Sequence, residues 1–126
     1  MRLRVPDVDD ADFVGDVKVA DDGVRLVLAG SADSAASAGF RELVEGLHRE
    51  LRERGARVVA VDMYAVDRMV AACFRELVAW VGRVQELPPA QRYQIRVRSN
   101  PAIEWQRNGL AALACFDTDI VVIEAA

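Results

Sequence analysis

From Gly15 to Ala29 apolar and polar positions alternate: Val17 and Val19 precede Asp21-Asp22-Gly23, and Val24, Leu26 and Leu28 follow it. A period of two on both sides of an Asp-Gly turn predicts a β-hairpin. The period then lengthens. Phe40, Leu43, Val44, Leu47 and Leu51 recur at the spacing of one helical face, with Asp33 or Ser34 placed to cap the segment and Gly55 to stop it. Arg57 to Met63 carries Val58, Val59, Ala60 and Val61 without alternation, which predicts a short central strand covered on both faces. Val70, Cys73, Phe74, Leu77, Val78, Val81 and Val84 form the clearest amphipathic stripe, a helix running to about Leu87 before Pro88-Pro89 ends it. Tyr93, Ile95 and Val97 alternate as a further strand. Asn100-Pro101 then reads as a cap and first helical residue, Ile103, Leu110, Leu113 and Ala114 mark a shorter helix, and Thr118 to Ile123 is a last strand.

The order β-β-α-β-α-β-α-β predicts an α/β domain over residues 15–126: a mixed, mostly parallel sheet of about five strands with three helices, joined by right-handed crossovers. Residues 1–14, rich in aspartate (Asp7, Asp9, Asp10, Asp12) and interrupted by Pro6, read as an N-terminal arm. A length of 126 residues, 52% of them hydrophobic, suits one domain with its own core.

A net charge of -4 argues against nucleic-acid and anionic-membrane partners, both of which attract a positive surface. Without a signal segment or an apolar run of about 20 residues, a cytoplasmic location is expected. Cys73 and Cys115 lie in apolar helical patterns and read as small core residues. The only histidine, His48, falls on the polar side of the first helix, so a Ser-His or Cys-His dyad would require a cysteine to leave the core. Glycine-rich phosphate loops and metal-ligand clusters are missing from the sequence; no enzyme activity, metal or cofactor is expected. Asp62 ends an apolar strand like a receiver phosphoacceptor, but an acidic pair after the first strand and a lysine after the last are lacking, the single lysine being Lys18. Ser31, Ser34, Ser37 and Ser99 read as capping residues.

Three stretches in this order carry a resemblance: Leu28-Ala29-Gly30-Ser31-Ala32-Asp33, Val59-Ala60-Val61-Asp62-Met63 and Met69-Val70-Ala71-Ala72-Cys73-Phe74. They resemble the STAS domain of anti-sigma-factor antagonists, over roughly Gly15 to Ala126. In that family the last stretch usually reads Met-Asp-Ser-Ser-Gly or similar, and a GHKL-type kinase phosphorylates a serine or threonine there. The corresponding positions here are Val70, Ala71, Ala72 and Cys73, so Ala71 and Ala72 mark a degenerate phosphosite. Cys73-Phe74, Trp80, Tyr93-Gln94-Ile95, Asn100-Pro101 and Trp105-Gln106-Arg107 are similar to a bacterial subgroup of STAS-like regulators. The family's final helix is expected to be absent, since only Ala125 and Ala126 follow Glu124.

At about 100° per residue, Ala72, Arg75, Glu76, Ala79, Gly82 and Arg83 fall opposite the apolar stripe and are expected to face outward. Small residues there suit a shallow docking patch edged by charge; a plain solvated face is the competing reading. Trp105 falls opposite Ile103, Leu110 and Leu113, which gives a binding anchor, or a side chain packed on a loop, the N-terminal arm or a second copy. Trp80 reads as core. The resemblance implies a non-catalytic regulator in bacterial partner switching, bound by a GHKL-type kinase or anti-sigma-like protein. The alternatives are a self-assembling module, with a homodimer as partner, and small-ligand binding.

Overall fold

The computed structural model describes residues 8–10, 13–20 and 23–125. The strands are β1 (Val8–Asp10), β2 (Phe13–Ala20), β3 (Gly23–Ala32), β4 (Val58–Met69), β5 (Gln94–Ser99) and β6 (Val121–Ala125); the helices are α1 (Ser37–Arg54), α2 (Ala71–Gln85) and α3 (Glu104–Phe116). The sequence-derived order of strands and helices holds, and the short β1 is added in front of it. The N-terminal arm therefore falls partly within the sheet: β1 pairs antiparallel with β2, and Phe13 is buried edge-on against Phe40, with ring centroids 5.8 Å apart. The rest of the arm, residues 1–7, 11 and 12, lies outside the described residues, as does the Asp21-Asp22 turn.

All six strands lie in one sheet in chain order. β2 and β3 form the antiparallel hairpin, with Val17 opposite Leu26, and β3, β4, β5 and β6 run parallel. Right-handed crossovers that always step the same way put every helix on the same face of the sheet. Burial follows this geometry. Val24, Leu26 and Leu28 of β3, Val59, Val61 and Met63 of β4, and Ile95 and Val97 of β5 are buried under the helices. The alternate residues, among them Arg25, Val58, Arg96 and Arg98, are exposed. The expectation of a strand covered on both faces is therefore corrected: among the described residues, β4 is covered on one face only. Val58 and Ala60 fill its unbroken apolar run but point away from the core side.

β4 also runs six residues beyond the expected end at Met63, to Met69. Its register with β3 shifts between Val27 and Ala29, where β4 carries an extra residue, while its pairing with β5 ends at Asp62 and Arg98. The far half of β4 thus has carbonyls on its β5 side that no strand satisfies.

The helix ends follow local chemistry. Asp33 caps a 3₁₀ turn, Ser34–Ala36, by accepting from the Ala35 N–H at 3.1 Å, and α1 grows from that turn. Gly55 ends α1 at φ 63°, where its N–H reaches the Arg52 carbonyl and the Ala56 N–H reaches the Leu51 carbonyl. Only glycine adopts this backbone without strain. Asn100 caps a turn rather than the helix itself: its Oδ1 accepts from the Ala102 N–H, and α3 starts at Glu104. The five apolar residues that predicted α1 are all fully buried, each contributing about 1.5–3 kcal/mol. None of the helices among the described residues is long and apolar enough to cross a membrane.

Candidate functional site

The degenerate phosphosite segment lies at the carboxyl end of the parallel strands, where β4 turns into α2. The Val70 N–H donates to the Ala32 carbonyl at 2.9 Å, which stitches the residue before α2 to the end of β3. Val70 is the N-cap residue and has no side-chain acceptor, so no side chain caps the helix. Around this start, Ser31 Oγ donates to Asp67 Oδ1 at 2.8 Å and the Cys73 thiol donates to the Asp33 carbonyl at 3.3 Å.

The six α2 residues expected to face outward do not form one open face. Ala71 and Arg75 are exposed, while Ala72, Ala79 and Gly82 are half-buried. Glu76 and Arg83 are turned onto α1. Arg41 Nε donates to Glu76 Oε2 and Arg83 Nη2 donates to Glu45 Oε1, each at 3.3 Å. The expectation that Glu76 and Arg83 stand free is corrected on this ground. Helical periodicity locates the side opposite the core but not the neighbouring helix, and α1 lies alongside on that flank. The patch that remains open is Ala71, Ala72 and Arg75, continued by Ala79 and Gly82.

Trp105 is likewise not an exposed anchor. It is half-buried, and its Nε1 donates to the Val66 carbonyl at 3.0 Å. Its ring lies over Gly109: a Cβ on that glycine would stand 3.2 Å from Trp105 Cε3 and 3.7 Å from Phe74 Cε2. The neighbouring Gln106 is 1% exposed, and its Nε2 donates to the carbonyls of Met63 and Val66 at 2.7 and 2.9 Å. Both side chains satisfy the carbonyls that β4 exposes once β5 has ended. The Trp105-Gln106 pair therefore fastens α3 to β4. It is separate from the α2 start, though Phe74 connects them by packing.

Several side chains depart from their expected roles. Cys115 is exposed, not core, whereas Cys73 is buried. Burial pushes the Cys73 thiol above its ordinary range, and the carboxylates of Asp33 and Glu76 add to the shift. A protonated thiol in the core is a poor nucleophile. His48 is not a solvated residue but is half-buried, with Nδ1 2.6 Å from the Tyr93 hydroxyl. Trp80, 1% exposed as expected of core, donates its Nε1 to the same hydroxyl at 2.6 Å. Nothing in the alternation of Tyr93, Ile95 and Val97 signals this run of hydrogen bonds, because it shows Tyr93 only as one more strand residue. Asp62 accepts from Arg98 Nη1 and from the Tyr64 N–H, both at 3.0 Å, which accounts for it structurally. Among the serines, Ser37 donates to the Ser34 carbonyl and Ser99 to the Glu124 carbonyl.

No family model matches the chain, and no curated protein is similar to it in sequence.

Proposed function

We propose that the chain is a non-catalytic STAS-like regulatory domain that binds another protein through the start of α2. The reading rests on one observation above others. At the carboxyl end of the parallel strands, the position where the resemblance implies a phosphorylated hydroxyl, Ala71 is exposed and Ala72 half-exposed beside the free-standing Arg75. An alanine has no oxygen to accept a phosphoryl group, so the segment serves as a surface and not as a switch. The partner is a GHKL-type kinase or anti-sigma-like protein of a cytoplasmic partner-switching system, and regulation resides in that partner or in abundance.

The test is capture from a native lysate with wild-type protein and with Ala72→Glu and Arg75→Glu. A carboxylate at either position places a charge in the patch; such changes at the centre of an interface reduce affinity by about 2 kcal/mol or more. The same proteins retained by all three baits would remove the assignment.

A second reading, self-association, is favoured by Phe116, which is 55% exposed at the end of α3 beside the exposed Cys115. Light scattering separates the two. A dimer abolished by Phe116→Ser supports assembly, and a monomer at every concentration removes it.

A further inference from the structure

Because all the helices lie on one face of the sheet, the opposite face meets no other element among the described residues. Its side chains form cross-strand rows. Register places Lys18 opposite Arg25, Arg25 opposite Ala60, and Ala60 opposite Arg96. Three cations therefore stand in one row, parted by a methyl group. Two adjoining depressions, of about 470 and 320 Å³, share Arg25, Ala60 and Arg96 in their walls. The small side chain of Ala60 creates the low ground between them.

These cations lack a close carboxylate partner, although Arg96 Nε donates to Gln94 Oε1 at 2.8 Å. Lys18 Nζ is 4.0 Å from Asp16 and Arg96 Nε is 3.8 Å from Glu124, with every side chain in both pairs about half exposed or more. Arg25 has no ion pair among the described residues. Exposed pairs at such distances are worth about 0–1 kcal/mol and exchange readily for a better anion. Arg98, in the next row, is committed: it bonds Asp62 at 3.0 Å and lies 4.7 Å from the centre of the Tyr64 ring. Among the described residues, three of the four large apolar side chains that stand exposed, Val14 (47%), Val58 (36%) and Tyr64 (41%), belong to this same face. Val58 borders the basic row, and an apolar side chain beside loosely paired cations is unlike a merely solvated surface.

From this we infer that the helix-free face of the sheet docks an extended, acidic protein segment lying across the strands over Lys18, Arg25 and Arg96. The dimensions agree. From β2 to β5 is three strand spacings, about 14 Å, and acidic residues at positions i, i+2 and i+4 of an extended chain span about 13 Å on one side. The intervening residues of such a segment face away, and one flank meets Val58, two residues along β4 from Ala60. The inference is independent of the α2 surface, which lies on the helix-covered side.

Amide chemical-shift titration with a short peptide alternating Glu and Val tests it. Saturable shifts centred on Lys18, Arg25, Ala60 and Arg96 are expected, with affinity falling by about ten-fold or more in Arg25→Glu and in Arg96→Gln. Ala72→Glu should bind this peptide as wild type does, whatever its effect on the α2 partner. Both arginines are exposed, and unchanged amide spectra elsewhere establish that the variants fold. Equal affinity of Arg25→Glu and wild type overturns the inference. So does tighter binding at these residues by an oligonucleotide of equal charge, or shifts at them that follow the protein's own concentration and so assign the face to a second copy.

Discussion

Tyr93 holds its hydroxyl between two ring nitrogens. An indole N–H only donates, so the Tyr93 oxygen accepts from Trp80, and the buried phenol proton finds its one acceptor among the described residues in His48 Nδ1. That arrangement needs a neutral His48 carrying its proton on Nε2. Burial, followed by Arg52 and Arg83, holds the His48 pKa below its ordinary value of 6.5; Glu86 opposes them weakly. Burial raises the Tyr93 pKa, so the phenol stays protonated. Tyr93→Phe removes the acceptor and strands the buried indole N–H, so urea unfolding should show a loss of about 1–3 kcal/mol. Because the folded protein binds the His48 proton less readily than the unfolded chain, this group's contribution is complete above about pH 6.5 and declines as pH falls from there through the lowered folded-state value. Wild type should therefore lose more stability than His48→Gln between pH 7.5 and pH 5. Parallel pH profiles of the two would contradict the geometry.

At the scale of the element, ends and neighbours decide what periodicity leaves open. The hairpin, α1 and α2 were legible because apolar spacing reports directly on which side meets the core. Gly55 was legible as a stop for a similar reason, its positive φ being accessible to glycine. Gly55→Ala should cost about 1 kcal/mol in thermal unfolding, by strain at φ 63°. What the sequence misjudged was lateral. The run Val58-Val59-Ala60-Val61 signals burial on both faces by composition, yet only a view of the crossovers tells that every helix lands on one face. The extension of β4 to Met69 was hidden by Asp67 and Arg68, which are exposed on a strand with no neighbour on the β5 side. Likewise, Glu76 and Arg83 look solvated from their own helix and are paired from the next. Arg83 Nη1 is buried with no partner among the described residues, and its Nη2 pairs with a half-exposed Glu45. The cost of the first offsets the gain of the second, so Arg83→Met should change stability by less than about 1 kcal/mol. The same substitution removes a cation near His48 and should raise the His48 pKa, read by proton NMR titration.

The whole molecule has two sides of different character. On one, three helices cover a single core, and α2 begins with Ala71 and Ala72 at the carboxyl end of the parallel strands. On the other, no helix among the described residues covers the sheet, and Lys18, Arg25 and Arg96 stand in one row. The absence of a hydroxyl at positions 71 and 72 was legible from the sequence alone, as was the run of small residues through Ala79 and Gly82. Which of them remain open, and that Trp105 is tied to β4, required the neighbouring elements. Under the function proposed above, docking needs no group beyond that surface, and the two alanines suit it to constitutive binding. On that proposal, a partner captured by the chain protects a defined stretch of backbone. Amide hydrogen exchange of the chain with and without that partner should show slowed exchange from Ala71 to Gly82, lost on Arg75→Glu. Protection confined to the open sheet face, or to the end of α3 around Phe116, would contradict it.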